Sequence, residues 1–344
     1  MFILRLLLLP FSILYAIGVL IREFIFFFGL IMEQDCGIPT LAVGNISAGG
    51  TGKTPFTETL IKLFGQTFSI AIASRGYGRT TTGFHWVELD SPAWQVGDEM
   101  LQLKRKYPNL PMAVCESRLE AAKRIREEYR VNLLLLDDAF QHRQIVRRVN
   151  ILLTTYKKPY FKDYLLPMGS LREFRWAKHR ADIIVLTKCP PDSTRKSVAK
   201  YLRRIRPSNR QFATYAISVY DEAKSLFEDE VNDLSTFSQF ILVTGIASNK
   251  DLLNHVSSKG KPVKVMRYRD HARYSKHRVK NIANKWRELN GHTTTCIITT
   301  PKDAVKLREK SDLLKGIPVF YIDYSLEMPE WHQFRNRIVP RILS

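Results

Sequence analysis

Cysteine is scarce in this sequence. Four cysteines occur in 344 residues, and they lie too far apart to form the paired Cys and His ligands of a zinc site. They are Cys36, Cys115, Cys189 and Cys296. We expect reduced, mostly buried thiols in a protein that faces the cytosol. The chain also contains no internal repeat and no low-complexity segment.

Acidic residues are too few to balance the basic ones. The chain has 33 Asp and Glu against 53 Lys and Arg, which gives a net charge of +20. This charge favours an anionic partner, but it does not choose among nucleic acid, a phospholipid surface and a phosphorylated ligand. Because no nucleic-acid-binding motif accompanies the charge, we expect no nucleic-acid partner.

The N-terminal segment is apolar. Residues 6–21 carry no charge, and a second apolar run occupies residues 24–32. A membrane-spanning helix takes ~20 apolar residues, and the first run is shorter and contains Pro10 and Ser12. We favour peripheral insertion into the inner leaflet. A tilted span that extends through Met32 and a helix packed against its own domain are the alternatives. No small-residue cleavage site follows, which argues against a signal peptide.

Apolar strand patterns alternate with amphipathic helix patterns along the rest of the chain. In the first half, strands are predicted at 40–45, 68–74, 111–115, 131–138, 149–155 and 182–188. Two clear helices are predicted at 117–130, where Ser117 and Glu120 form a capping box, and at 275–290. The second helix places Val279, Ile282, Ala283, Trp286 and Leu289 on one face. The alternation predicts an α/β fold with a doubly wound, mostly parallel sheet.

Three regions are expected along the chain. Residues 1–35 form a membrane-associating helix, residues 36–190 a core domain, and residues 191–344 a second, smaller α/β domain whose last segment can return to the core. The boundary is placed in the segment 189–211, which is rich in Pro, Ser and Arg.

A glycine-rich loop follows the first predicted strand. Residues 47–54 fit the phosphate-binding pattern G-x-x-x-x-G-K-[ST], except that Ser47 replaces the first glycine. The phosphates are expected to contact Ser47, Ala48, Gly49, Gly50, Thr51, Gly52, Lys53 and Thr54. Lys53 would meet the β- and γ-phosphates and Thr54 the Mg²⁺, while the following helix points its positive end at the anion. This predicts a P-loop NTPase-like core.

A second nucleotide motif lies at 133–138, Leu-Leu-Leu-Leu-Asp-Asp. An apolar strand that delivers carboxylates at its C-terminal end is typical of the metal-binding strand of such enzymes. Asp137 or Asp138 is expected to hold Mg²⁺ directly or through water. A solvated turn is the weaker alternative, because adjacent acids repel each other unless a cation lies between them.

Several polar clusters are not explained by nucleotide binding. They are SRGYGR (74–79), VGDEM (96–100), CESR (115–118), DDAFQHR (137–143), LLPMGSLRE (165–173) and DHARY (270–274). Together with the glycine-rich loop, and in this order, they resemble the tetraacyldisaccharide 4′-kinase family, the lipid A 4′-kinases of Gram-negative bacteria. The resemblance extends to TTPKDAVKL (299–307) and covers nearly the whole chain.

The resemblance implies an enzyme that uses ATP and Mg²⁺. It would phosphorylate the 4′-hydroxyl of a membrane-embedded tetraacyldisaccharide 1-phosphate and give lipid IVA at the cytoplasmic face of the inner membrane. The basic composition agrees with an anionic membrane surface and substrate. Residues 143–180 alone hold ten Lys and Arg against two acids, which fits anionic head groups as well as ordinary solvated surface. We expect a monomer.

The resemblance also implies site residues. Asp98 would take the 4′-hydroxyl proton, with His271 of the second domain sharing that proton, because a lone carboxylate is a weak base for an alcohol. The catalytic set is Asp98, His271, Lys53, Asp137 and Asp138. The metal set is Thr54, Asp137, Asp138 and Glu173. Substrate contacts are expected from Arg75, Tyr77, Arg118, Gln141 and His142, where arginine suits a phosphate.

The chain departs from the family pattern at three positions. Ala139 stands where many members have glycine, which is tolerated if φ is negative; Pro301 replaces the glutamate of TEKD, and Ala272 a second histidine. A membrane-associated switch ATPase or GTPase that binds a protein partner is the alternative function, since such proteins share the GGTGKT loop. An ATPase acting on nucleic acid rests only on the charge.

Overall fold

The computed structural model describes residues 7–228, 231–246, 249–269, 272–289 and 294–343. Its strands are β1 Thr40–Asn45, β2 Ile70–Ser74, β3 His85–Trp86, β4 Met112–Val114, β5 Leu133–Leu136, β6 Val149–Thr155, β7 Ile183–Cys189, β8 Phe212–Ser225, β9 Val231–Asn232, β10 Gln239–Thr244, β11 Lys261–Arg267, β12 Thr295–Thr299 and β13 Val319–Glu327. Its α-helices are α1 Leu9–Phe27, α2 Lys53–Phe64, α3 Ala93–Val96, α4 Asp98–Lys106, α5 Arg118–Glu128, α6 Arg195–Ile205, α7 Lys250–Ser257, α8 Lys276–Leu289, α9 Pro301–Arg308 and α10 Trp331–Leu343.

All these strands belong to one sheet. The order is β11-β10-β12-β13-β8-β7-β6-β1-β5-β2-β4-β3, and β9 pairs with β8. Neighbours are parallel except where β3 meets β4 and where β8 meets β9 and β13. Parallel neighbours need crossover connections, and helices supply most of them. The doubly wound, mostly parallel sheet predicted from the sequence is therefore confirmed.

The chain reverses its direction of winding at β1. After β1 it passes to one side of the sheet through α2 and β2, and it later continues on the other side through β6 and β7. In open α/β sheets, ligands bind outside the carboxyl ends of strands at such a switch point. The glycine-rich loop follows β1 at this place.

The predicted elements form with small shifts at their ends. β1 and β6 match the prediction, β2 begins two residues later than predicted, and β4, β5 and β7 differ by one or two residues at both ends. α8 covers 276–289 with Val279, Ile282 and Ala283 buried. Ser117 caps α5 by accepting a hydrogen bond from the amide of Glu120. The four cysteines are buried free thiols, as expected.

The C-terminal helix α10 packs on the first half of the chain. Phe334, Ile338 and Ile342 belong to the same apolar cluster as Phe56 and Phe64 of α2. The rings of Phe56 and Phe334 meet edge to face at 6.0 Å. The predicted domain boundary near residue 190 lies between β7 and β8, which pair with each other in the same sheet. The division into two domains stays a prediction.

Helix α1 keeps its apolar side chains on the surface. It is the one helix in the described ranges that is long and apolar enough to cross a membrane, by length and composition only. Of its residues, only Ser12 and Val19 are buried. Its exposed side chains include Leu9, Phe11, Ile13, Leu14, Ile17, Leu20, Ile21, Phe24 and Phe27. The structure does not support the alternative of an apolar helix buried in its own domain.

Candidate active site

The glycine-rich loop connects β1 to α2. Gly49 and Gly52 have φ angles of 108° and 85°, a region that favours glycine because it has no Cβ. Asn45 at the end of β1 donates from its side-chain amide to the Thr51 hydroxyl at 2.7 Å. Gly52 is the N-cap of α2, so the first amides of this helix point toward the loop. The loop thus has the backbone that a phosphate cradle needs.

Lys53 and Asp138 face each other beside the loop. The Lys53 Nζ atom lies 3.7 Å from Asp138 Oδ1, and Arg172 Nη2 lies 3.3 Å from the same oxygen. Burial alone would raise the pKa of Asp138, but the two cations outweigh it and hold the pKa below its usual value. Asp138 is therefore a carboxylate with its charge compensated.

Asp137 has the opposite environment. Its side chain is buried and accepts a hydrogen bond of 3.1 Å from the Thr57 hydroxyl. Burial, and then the negative charges of Glu99 and Asp138, raise the pKa of Asp137 to about 7. Glu99 also accepts a hydrogen bond of 2.8 Å from the Thr54 hydroxyl. Oxygen atoms are therefore numerous here, and the charged form of Asp137 is disfavoured, whereas Glu99 is paired with Lys302 and Asp138 with Lys53 and Arg172.

This oxygen-rich environment fits Mg²⁺. In the part of the chain that the structure describes, no three acidic, His or Cys side chains are close enough to hold a metal by themselves. Mg²⁺ is commonly held by one or two carboxylates together with substrate phosphates and water, so a complete protein cage is not needed. Thr54, Asp137 and Asp138 provide suitable oxygen ligands, and the raised pKa of Asp137 indicates a position that a cation would stabilise.

Asp98 lies at the start of α4 and is buried. Lys306 Nζ of α9 lies 2.7 Å from Asp98 Oδ2, and Lys302 Nζ lies 3.2 Å from Glu99 Oε1. Two lysines one helical turn apart thus contact two consecutive acids. His271, the expected partner of Asp98, lies outside the described residues, so that pairing stays a prediction.

Three of the predicted substrate residues lie around the end of β5. Arg118 is buried and donates to the Asp138 carbonyl at 3.2 Å, and Gln141 donates to the Asn45 carbonyl at 2.7 Å. Burial, then the charges of Arg118, Arg147 and Arg75, lower the pKa of His142 to about 4. This imidazole is neutral near pH 7 and sits in a positive field.

Arg75 and Tyr77 lie on the outside of this group. Both side chains are exposed. Burial lowers the pKa of Arg118, the nearby Asp138 raises it, and the positive charge of Arg75 lowers it again, so that the pKa lies below its usual value. Two arginines close together form a favourable place for a phosphate. Ala139 does not have a positive φ, which meets the condition for replacing glycine there.

Glu173 lies away from the other predicted metal ligands. It is buried and forms ion pairs with Arg22 of α1, at 2.8 Å, and with Arg180. Among the described residues it makes no hydrogen bond or ion pair with Thr54, Asp137 or Asp138. The side chain of Arg172 points to Asp138, whereas that of Glu173 points to α1. The geometry gives no support to a metal contact, which stays an expectation from the resemblance.

A cavity of about 650 Å³ extends from the glycine-rich loop to the second half of the chain. Its lining includes the whole loop from Ser47 to Thr54, together with Lys158, Lys188 and Lys302. Its other wall contains Tyr220, Leu252, Ile322 and Tyr324. The lining thus combines a phosphate-binding loop and three lysines with aromatic and aliphatic side chains, which suits a nucleotide, and it also includes Asp251 and Asp323.

Comparison with known proteins shows the family of the chain. The family model described as tetraacyldisaccharide-1-P 4′-kinase matches residues 4–342. The chain belongs to this kinase family. It is 34% identical to the tetraacyldisaccharide 4′-kinase of Bacteroides fragilis over 328 residues, which cover 93% of this chain and 87% of that protein. It is 37% identical to the enzyme of Porphyromonas gingivalis over 303 residues, 87% and 85% of the two chains.

The fold of this tetraacyldisaccharide 4′-kinase family member also matches a solved structure. A crystal structure of LpxK from Aquifex aeolicus in complex with ATP superposes with a TM-score of 0.78 and 26% identity, covering 98% of this chain and 99% of that chain. The resemblance inferred from the sequence motifs is therefore confirmed.

Sequence reasoning missed four polar residues of this kinase. Glu99 contacts Thr54, Arg172 contacts Asp138, and Lys188 and Lys302 line the cavity. Glu99 follows the predicted base Asp98 in the motif VGDEM, and Arg172 precedes the predicted metal ligand Glu173 in the motif LLPMGSLRE. Lys188 is the last residue of the strand pattern DIIVLTK. Because ligands of open α/β sheets bind outside the carboxyl ends of the strands, this position could have been used to predict that Lys188 lies near the nucleotide site.

Proposed function

We propose that the protein transfers the γ-phosphoryl group of ATP to the 4′-hydroxyl of tetraacyldisaccharide 1-phosphate and produces lipid IVA for lipid A synthesis. The observation that carries this proposal is the family match over residues 4–342 combined with a phosphate cradle that opens into a nucleotide-sized cavity. A switch ATPase or GTPase is disfavoured, because the match includes the acceptor-side clusters.

ATP is proposed to lie along the cavity with its phosphates at the glycine-rich loop. The loop amides and Lys53 would hold the β- and γ-phosphates, and Lys188 lies close enough to Gly50 to add charge beside the loop. The adenine would reach the wall formed by Tyr220 and Tyr324, whose rings are 5.5 Å apart. Bound Mg²⁺ would neutralise phosphate charge, with Thr54, Asp137 and Asp138 as its protein ligands.

The acceptor is proposed to enter from the side of Arg118 and His142. Arg75 and Arg118 would bind the 1-phosphate, while Tyr77, Gln141 and the neutral His142 contact the sugars. Asp98 would take the proton of the 4′-hydroxyl as its oxygen attacks the γ-phosphorus, and ADP leaves when the bridging bond to the β-phosphate breaks. His271 is proposed to share that proton with Asp98.

Membrane association is proposed to bring the enzyme to its lipid substrate. The exposed apolar side chains of α1 support partial insertion into an anionic bilayer from the cytoplasmic side, and the net charge of +20 adds attraction to it. The acyl chains can then stay in the bilayer while the sugar reaches the cavity. We propose a monomer at the inner membrane.

The decisive experiment supplies ATP labelled at the γ-phosphate, Mg²⁺ and tetraacyldisaccharide 1-phosphate in mixed micelles. A labelled lipid is expected, and Asp98→Ala should lower kcat by ~10²-fold or more with little change in ATP affinity. Unlabelled lipid from folded protein that binds ATP would refute the kinase function and favour the switch class. A near-normal kcat of Asp98→Ala would remove Asp98 as the base.

A further inference from the structure

The polar side chains of helix α1 all face the protein. Its polar residues are Ser12, Tyr15, Arg22 and Glu23. Tyr15 follows Ser12 by three residues and Arg22 follows Tyr15 by seven, which places them on one side of the helix, and Glu23 is next to Arg22. The exposed sides carry apolar residues instead. A helix that only anchors a protein in a membrane does not need a polar docking face.

This polar face contacts the segment 165–180 at three levels. The Ser12 hydroxyl accepts from the Met168 amide at 3.0 Å, and the Tyr15 hydroxyl donates to the Arg172 carbonyl at 3.0 Å. Arg22 Nη2 lies 2.8 Å from Glu173 Oε1. The docking contacts therefore converge on the stretch that contains Arg172 and Glu173.

Glu23 adds a second layer to the same contact. Its Oε2 atom lies 3.0 Å from Arg143 Nη1, and its Oε1 atom lies 3.5 Å from Arg180 Nη1. Arg180 also pairs with the buried Glu173. An ion pair with a buried member is costly to break from one side, and Glu173 would keep only one of its two cations if either Arg22 or Arg180 were lost. The helix is thus held in one position relative to the segment.

The other side of this segment holds the glycine-rich loop. The Ala48 amide donates to the Ser170 carbonyl at 2.6 Å, and the Arg172 amide donates to the Ile46 carbonyl at 2.7 Å. Ser47 and Leu171 form an antiparallel bridge between these stretches. The segment thus lies between α1 and the first residues of the loop, with hydrogen bonds to both.

The side chain of Arg172 completes the connection. Its Nη2 atom donates to the Asn45 carbonyl at 3.2 Å and to the Asn45 side chain, and lies 3.3 Å from Asp138 Oδ1. Asn45 in turn holds the loop through Thr51. A displacement of the segment would therefore move both the loop and a cation beside Asp138.

We propose that α1 positions the active site in addition to associating with the membrane, with Tyr15 and Arg22 as positioning residues that act through segment 165–173 on the glycine-rich loop and Arg172. The proposal deepens the proposed kinase function and rests on it for its kinetic readout. Since reacting groups must be placed closely for phosphoryl transfer, loosening this support should lower turnover.

Two variants of the full chain test the proposal. Tyr15→Phe removes one hydroxyl, and Arg22→Met removes one of the two cations paired with Glu173 while keeping a long side chain. Each should lower kcat about tenfold at saturating ATP and acceptor in mixed micelles. Arg22→Lys should recover part of the loss. Arg124→Met is the matched control, because Arg124 also pairs with a glutamate on a helix but lies on α5.

Two further measurements separate positioning from anchoring. Both variants should bind anionic vesicles as well as the unmodified protein does, whereas Phe24→Ser on the outward face should reduce vesicle binding. In Arg22→Met, the amide hydrogens of Ala48 and Arg172 should exchange faster with solvent, because their hydrogen bonds join the segment to the loop. This exchange measurement needs no lipid acceptor.

Several results would overturn the proposal. Unchanged kcat and exchange in both variants would remove the coupling, and a loss of kcat that only follows a loss of vesicle binding would make α1 an anchor alone. A higher Mg²⁺ requirement in Glu173→Gln, without the changes expected for Arg22→Met, would assign Glu173 to the metal instead. If the unmodified protein phosphorylates no lipid, the proposed function fails, and the exchange data still decide the coupling.

Discussion

Replacing Asp137 should make the ligand-free protein more stable while impairing its function. Asp137 is buried, and its pKa is raised to about 7 by burial and by the charges of Glu99 and Asp138. Asp137→Asn keeps an oxygen that can accept the hydrogen bond from Thr57 and removes the buried charge. The gain arises because the folded state pays a cost for holding this carboxylate charged.

The magnitude follows from the difference between the two pKa values. An unfolded aspartate has a pKa of ~3.9, so a folded value of about 7 costs roughly 4 kcal/mol at a pH above 7. Because the charges of Glu99 and Asp138 supply part of this cost and neighbouring groups can rearrange in the variant, we expect a gain of about 2–4 kcal/mol for Asp137→Asn.

The sign of the pH dependence is specific. Between the unfolded and folded pKa values, the unfolded chain binds fewer protons than the folded protein, so stability falls as the pH rises through this window. The cost is absent below a pH of ~3.9, reaches about 1.5 kcal/mol near pH 5, and is complete above pH 7. With these two pKa values, the advantage of Asp137→Asn should therefore grow by about 2.5 kcal/mol between pH 5 and pH 8.

The assay is urea denaturation followed by tryptophan fluorescence, with chelator and without nucleotide, at these two pH values. Asp138→Asn is the matched control, because Lys53 and Arg172 hold the pKa of Asp138 below its usual value. That variant should lose stability by about the same amount at both pH values, because both lie above the unfolded pKa of ~3.9 and the favourable interactions of the charged Asp138 are already complete there. A gain for Asp137→Asn that is equal at both pH values, or a loss at the higher one, would refute the reasoning. Mg²⁺ with ATP should stabilise the unmodified protein more than Asp137→Asn.

Two further predictions concern the membrane helix and the acceptor side. Deleting residues 1–32 should reduce sedimentation with anionic vesicles and lower membrane-dependent activity, because the exposed apolar side chains of α1 are lost. A truncated protein that still sediments fully and keeps its activity would contradict the anchoring role. His142, whose pKa is lowered to about 4 by burial and by Arg118, Arg147 and Arg75, should stay neutral between about pH 6 and pH 8. The acceptor KM should then show no step near pH 6.5, and a step that disappears in His142→Gln would disprove the neutral imidazole.

Local sequence patterns predicted much of the donor side. A buried apolar run, a glycine-rich turn and a following helix place Lys53 and Thr54 by short-range geometry, and the run of leucines ending at Asp137 and Asp138 reaches the same sheet edge. These residues do lie together, because parallel strands with crossover helices bring their carboxyl ends to one side. The positions of the strands were predictable because each one is a short apolar run in the sequence.

Contacts between distant parts of the chain could not be predicted. No local pattern indicated that Glu99 would contact Thr54, that Lys306 would contact Asp98, or that Arg172 would reach Asp138. Each of these contacts depends on how α4, α9 or the segment before β7 packs against β1. The expectation that Glu173 binds metal came from the family resemblance and stays a prediction, and no motif indicated that this side chain would pair with Arg22 of α1.

The sequence by itself determined the family, the parallel sheet, the phosphate loop and an apolar N-terminal helix, because each depends on residue types at short, regular spacings. Only the tertiary structure decided that α1 turns its few polar side chains inward. Tyr15 and Arg22 are separated from Arg172 and Glu173 by about 150 residues of chain. Their meeting depends on the burial of Glu173 and on the hydrogen bonds that tie segment 165–173 to the loop, and no local pattern encodes these long-range contacts.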